Sequence, residues 1–190
     1  MTTLKWTDLL LDQLEWHWTR QLRPRLAGLT DDEYFWQPAP HAWTVRPASE
    51  PTPAHAPVQA GVGTHRIDFA FPEPVPPPVT TIAWRLGHVI VGVLGMRNAS
   101  HFGGPAADYD SWAYAAGADE ALAQLDAQYR AWTDGVRALG EDGLARPCGA
   151  AEHHYADEPL ARLVLHIHRE LIHHGAEVSL LRDLYRARAA

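Results

Sequence analysis

Apolar residues recur at helical spacing in four stretches of the chain, separated by segments dense in proline and glycine. The first runs from Leu4 to Leu29, with Trp6, Leu9, Leu10, Leu14, Trp18, Leu22 and Leu26 spaced for one helix face. Pro24 lacks an amide proton and crowds the preceding turn, so a kink or shortened end is expected there. From Asp31 to Pro78 the periodicity dissolves among prolines, ending in Pro76, Pro77 and Pro78. This predicts a long irregular connection with room for a short strand or helix, pinned to the body by Trp36, Trp43, Phe69 and Phe71.

Thr80 or Thr81 can cap a second helix through Ile82, Leu86, Val89, Ile90, Val93 and Leu94 to about Ser100, closed by Gly103, Gly104 and Pro105. Asp119 is the expected cap of a third, whose buried stripe is Leu122, Leu125, Tyr129, Trp132, Val136 and Leu139, stopped by Gly140 and Gly143. The fourth starts near Asp157 and Pro159 and repeats Leu160, Val164, Ile167, Leu171, His174, Val178, Leu181 and Tyr185 without a miss. The pattern predicts an all-α four-helix bundle, a single domain over residues 1–190, with a long proline-rich connection between its first two helices.

Composition changes this picture little. With 46% apolar and 21% charged residues, the chain has enough apolar surface to fold over most of its length. Eight tryptophans imply a wide apolar core or an aromatic-lined pocket. A formal net charge of -7 without a Lys/Arg cluster argues against nucleic acid, whose binding rests on phosphate neutralisation. Cys148 is the sole cysteine, which excludes an internal disulfide and agrees with a reducing compartment. Asp8 and Asp12 interrupt any signal-peptide pattern, and the apolar stretch from Thr81 to Met96 carries Arg85 and His88 and is shorter than a membrane span. A cytoplasmic protein acting on a small molecule, with no membrane or nucleic-acid partner, is expected. A homodimer through helix faces is ordinary for a bundle.

One polar constellation interrupts the apolar stripes. His174 replaces an aliphatic residue in the fourth helix, with Glu170 one turn before it and His166 one turn before that. A carboxylate facing a core needs a partner, because its ionised form is costly to desolvate. A metal ion is one such partner, with the remaining ligand drawn from a neighbouring helix. His88, flanked by Gly87 and Gly92 in the second helix, is the internal candidate. His88, Glu170 and His174 form a two-histidine, one-carboxylate set suited to zinc, nickel, iron or manganese, with His166 as an alternative ligand. The other account is a structural network in which Glu170 pairs with Arg169, His173 or His174. His173 and Glu177 make a further pair one turn apart, either supporting the site or facing solvent. Arg85 is either a guide for an anionic ligand or a surface cation with a buried stem. No catalytic group separate from the metal site stands out: Cys148 has no neighbouring base, and the H-E-x-x-H signature is absent.

Three segments carry a family resemblance: Leu29-Thr30-Asp31-Asp32-Glu33-Tyr34 leading to Trp36 and Trp43, Thr81-Ile82-Ala83-Trp84-Arg85-Leu86-Gly87-His88, and Arg169-Glu170-Leu171-Ile172-His173-His174-Gly175-Ala176-Glu177. Together with the opening helix they resemble the DinB-like superfamily of metal-binding four-helix bundles, most closely its actinobacterial branch. That superfamily includes thiol-dependent transferases and maleylpyruvate-isomerase-like enzymes. The resemblance implies metal ligands at His88 and His174, with Glu170 standing where the family typically has a further histidine. Beside those ligands, Trp84, Arg85, His173 and Glu177 are the residues expected to line or support the site. The resemblance also implies a divalent-metal-dependent enzyme that directs a low-molecular-weight thiol such as mycothiol to a small electrophile.

Overall fold

The computed structural model describes residues 4–188. Helix α1 opens with Trp6–His17, continues through a π-helical stretch, Trp18–Leu22, and ends in Arg23–Arg25. Pro24 sits in that final turn, where the wider π stretch absorbs its missing hydrogen bond, and Leu26 N still donates to Leu22 O at 3.2 Å. The free amides at the start of α1 have no local cap. Glu141, far along the chain, accepts from Trp6 N at 3.2 Å and from Thr7 N at 2.9 Å instead.

The connection is more ordered than its prolines imply, and this corrects the all-α expectation. A short helix α2, Asp31–Phe35, is held by a reciprocal capping box between Thr30 and Glu33. Strands β1 (Val45–Pro47), β2 (Val58–Ala60) and β3 (His65–Phe69) then form an antiparallel sheet in the order β1-β3-β2, with Val45 opposite Ile67 and Val58 opposite Phe69. Trp43 and Phe69 pin this sheet to the helices through Trp84, whose Nε1 donates to Asp68 O at 2.8 Å. Trp36 packs edge-on against Tyr185. Phe71, 74% exposed, does no more than stack on Phe69 with ring centroids 6.0 Å apart.

Helix α3 comprises Ile82–His88, a second π stretch, Val89–Gly95, and Met96–Phe102. Thr81 is its cap, accepting from Trp84 N at 3.1 Å. Helix α4, Ala118–Ala145, starts at Ala118, and the expected cap Asp119 already lies inside it. The capping oxygen comes from α2, where Asp31 Oδ1 accepts from Ala118 N at 2.7 Å. Gly140, at a φ of 59°, interrupts the helix where the sequence places a stop. A short 3-10 turn, Ala150–Tyr155, leads to α5, Leu160–Ala187.

Helices α1, α3, α4 and α5 pack around one core in which Leu14, Leu94, Leu125, Trp132, Val164 and Leu171 are buried. Each such side chain contributes about 1.5–3 kcal/mol relative to exposure, which makes this shared stripe the main source of cohesion. The architecture is a helical bundle with a small sheet laid against the start of α3, so the site-bearing segment His88 is braced from two directions.

Candidate metal centre

His88 closes the first segment of α3, immediately before the π stretch, and π turns inside α-helices recur at functional sites. Its ring stacks on Trp84, with centroids 5.4 Å apart, and meets the ring of His174 edge-on at 4.8 Å. Its Nδ1 hydrogen-bonds the Tyr109 hydroxyl at 2.6 Å. Gly92 makes this bond available, because a Cβ there would lie 2.0 Å from the same hydroxyl. The hydroxyl can accept from Nδ1–H, and that tautomer opens Nε2 to a ligand.

Across the bundle, His174 donates from Nδ1 to Glu177 Oε2 at 2.7 Å. A carboxylate only accepts, so Nδ1 carries the proton and Nε2 carries the lone pair. That Nε2 lies 3.5 Å from Glu170 Oε2. Glu177 is held in turn by Arg85, whose Nε sits 3.0 Å away at an angle that leaves it without a hydrogen bond. This carboxylate-imidazole pairing is the arrangement that orients histidine ligands in metal sites.

Electrostatics place the three groups in the protonation states a divalent ion requires. Burial, reinforced by the nearby His174 and Arg85, pushes the His88 imidazole down to about 3. Burial also lowers His174, against the opposing hydrogen bond to Glu177. Burial works against ionisation of Glu170, yet the hydrogen bonds and charge of Arg169, with the neighbouring imidazoles, outweigh it and hold the carboxyl below its ordinary value. Neutral imidazoles and an ionised carboxylate are the forms in which such groups bind a metal, although the ligand atoms of His88, Glu170 and His174 do not all lie within 4.8 Å of one another.

The positions singled out in the sequence divide into two groups. His88 and Glu170 line a cleft of about 310 Å³ with Gly92, Met96, Arg97, Tyr109 and His166, and His174 lies against His88 at its edge. His166 is tied to Arg169 and sits 3.5 Å from Glu170. The exposed side chain of His173 reaches Glu177 at 3.5 Å. Among the described residues, the His/His/Glu cluster whose ligand atoms all lie within 4.8 Å of one another is His173, His174 and Glu177, so a set able to hold a divalent ion is present. Arg85 competes for that cluster, since its guanidinium already neutralises Glu177 and lies 3.4 Å from His174 Nδ1. His153 and His154 line a separate small cleft beside the end of α3. Cys148 is buried, and burial raises its thiol above the ordinary value.

Tyr109 and Arg97 were not evident from the sequence. Tyr109 lies in an irregular loop without periodicity, although Gly92 four residues beyond His88 hinted at something crossing close to the helix. Arg97 donates to Gly92 O at 2.7 Å and stands between this cleft and a larger one of about 610 Å³ that also touches His166, Cys148 and Leu165. Among the described residues, no helix is long and apolar enough to cross a membrane. No curated protein and no solved structure matches the chain. The sequence profile of the DinB superfamily matches residues 13–178, nearly the whole bundle with both histidine-bearing helices, and the chain belongs to that superfamily.

Proposed function

We propose that the protein is a divalent-metal-dependent enzyme in which His88, Glu170 and His174 hold the ion, and that it adds or transfers a low-molecular-weight thiol to a small electrophile. The observation that carries the metal site is the matched orientation of its histidines. Both have Nδ1 engaged, by Tyr109 and by Glu177, which leaves both Nε2 atoms for a ligand beside the Glu170 carboxylate.

A bound divalent ion supplies positive charge that lowers the pKa of a coordinated thiol. The chain's own groups orient and enclose. Glu177 fixes the His174 tautomer, Tyr109 engages His88 Nδ1, and Trp84 stacks on His88 to hold its ring. Val93, Met96 and Ile167 give the cleft an apolar wall. The nucleophile has to come from outside, because burial keeps the Cys148 thiol protonated. Glu170, engaged as a ligand, is not free to act as a base. The likeness to thiol-dependent members of the superfamily supports a thiol as the incoming group.

Metal-loaded protein should consume a small electrophile only when a thiol is added, and His88→Ala should abolish that consumption. Equal rates with and without thiol would sink the thiol assignment. Thiol-independent cleavage would make the protein a hydrolase, and stoichiometric binding without product would make it a binding protein.

A further inference from the structure

The cleft of about 610 Å³ beyond Arg97 adjoins the one at His88, since Arg97 and His166 line both. Its volume falls within the roughly 300–1,000 Å³ of small-molecule sites. Leu163 and Leu165 of α5 and Tyr155 of the 3-10 turn give it apolar walls. Leu165 is 56% exposed and Tyr155 47%, so this apolar surface is open to an occupant.

Charge narrows what that occupant is. In a chain of net charge -7, the cleft gathers Arg97, Arg162 and Arg169 against Glu152 and Glu158. Two of these arginines are answered by close carboxylates: Arg162 by Glu158 at 2.7 Å, and Arg169 by Glu170 at 3.0 Å. Arg97 is not. Its Nη1 donates to Gly92 O at 2.7 Å, which fixes the guanidinium at the junction of the two clefts. Its Nη2 reaches Glu152 only at 3.5 Å, and the other oxygen of that carboxylate lies 2.9 Å from His101 Nε2. Its Nε is buried without a partner. A guanidinium presents five donors in a planar fork, and one that is largely desolvated calls for more acceptors than Gly92 and Glu152 provide.

We infer that the larger cleft holds the tail of a reactant, with a carboxylate on Arg97, an apolar body along Leu163, Leu165 and Tyr155, and the reacting end in the cleft at His88. This rests on the reading of His88, Glu170 and His174 as the reaction site. A single carboxylate matches the one under-used guanidinium in shape and charge, because carboxylates accept from the arginine fork in its plane. A doubly charged phosphate fits less well beside Glu152 and Glu158, since like charges at short range repel. The substrate class is a small amphipathic monocarboxylate. Either the thiol or the electrophile carries it.

Calorimetric titration of the metal-free full chain with hydrocinnamate and with its uncharged amide tests the tail site without metal or thiol. The acid should bind at least about 10-fold more tightly than the amide, with the gap narrowing as salt is added. Arg97→Ala should bring the acid to the level of the amide. Should that variant misfold, Leu165→Glu sets a like charge on an already exposed stretch of wall and should weaken the acid by a similar factor. Arg20→Ala, exposed on α1, should bind as wild type does. Equal affinity for acid and amide overturns the inference, as does a folded Arg97→Ala that binds the acid like wild type.

The reactant that carries the carboxylate is found with zinc-loaded protein, by setting mercaptopropionate against its methyl ester and a carboxyalkyl maleimide against its methyl ester. Arg97→Ala should raise KM for the acid, and not the ester, in one of the two pairs. Turnover without an acid preference in either pair overturns the inference and leaves the thiol reaction standing. Acid binding at Arg97 without any turnover does the reverse.

Discussion

Helix α5 carries two buried polar clusters less than four turns apart, and they are built to opposite plans. At its C-terminal end, Arg182 is enclosed by acceptors. Its Nε and Nη2 reach the Glu33 carboxylate at 3.2 and 3.0 Å, and Nη1 donates to Ala27 O at 2.9 Å and to Arg25 O. Glu33 accepts further from Thr30 N at 3.0 Å and Arg186 Nε at 3.1 Å. Both charges are paired and hydrogen-bonded, the condition under which a buried ion pair is tolerable. At the other cluster, Glu170 approaches His174 Nε2 only to 3.5 Å, the His174 Nδ1 proton points away to Glu177, and His88 Nδ1 is engaged by the Tyr109 hydroxyl. The first cluster closes on itself and ties α5 to α2. The second turns its lone pairs toward open space. A buried polar group that has spent its donors is structural; one whose acceptors converge on a cleft is prepared for something else.

That contrast can be broken most readily at Arg182. Replacing it with alanine leaves the buried Glu33 with only the exposed Arg186 as a cationic partner, a loss of up to about 3–5 kcal/mol in unfolding free energy by denaturant titration. His174→Ala in metal-free protein should cost clearly less, since no satisfied pair is lost. Similar losses for the two variants would erase the distinction drawn between the clusters.

The same pair sets an acid limit. Although burial opposes its ionisation, bonds from Arg182, Thr30 and Arg186 hold Glu33 below its ordinary value of 4.5. Its stabilisation is therefore complete above that pH and is lost as pH falls through the lower, folded value. The site histidines act in a higher window. Their folded values lie below 6.5, so the unfolded state takes up protons first and stability declines as pH drops below 6.5. Stability measured against pH in metal-free protein should thus fall in two stages. His88→Gln with His174→Gln should shallow the upper stage, leaving the contributions of His55 and His168, which burial also lowers. Glu33→Gln should remove part of the lower stage alone. An unchanged upper slope in the double variant would contradict the neutral imidazoles assigned to the site.

A smaller effect sharpens the site itself. Tyr109→Phe removes the hydroxyl that fixes His88 and should weaken divalent-ion affinity about 10–100-fold by calorimetric titration, with the fold retained. An affinity equal to wild type would make the contact incidental.

The four long helices were legible because each keeps one apolar stripe over several turns, and the stripe of α5 runs from Leu160 to Tyr185. The sheet was not. Its strands are three to five residues long, and in β3 the buried Asp68 follows the buried Ile67, which destroys the alternation that marks a strand. Asp68 is buried because Arg46, Gln59 and Thr44 bond its carboxylate, a pairing across distant residues that local pattern does not reveal. The caps show the same limit. Thr81 caps α3 from its own sequence, whereas α1 and α4 borrow Glu141 and Asp31 from elsewhere. At the site, His88, Glu170 and His174 stood out as polar residues in apolar repeats, while Tyr109 reaches His88 from a loop that carries no period. The exposed stripe of Trp6, Leu9 and Trp16 reads in sequence like core, because periodicity counts apolar residues without showing which face the bundle covers.

Metal content of the purified full chain, equilibrated with zinc and desalted, tests the central assignment most directly when wild type is measured beside His88→Ala, His174→Ala and His173→Ala. About one equivalent should stay with the wild type and with His173→Ala, and the ion should be lost from both His88→Ala and His174→Ala. Retention by His88→Ala with loss from His173→Ala would move the ion to the His173, His174 and Glu177 cluster. A wild type that retains none would leave the cleft histidines a structural network and contradict the account.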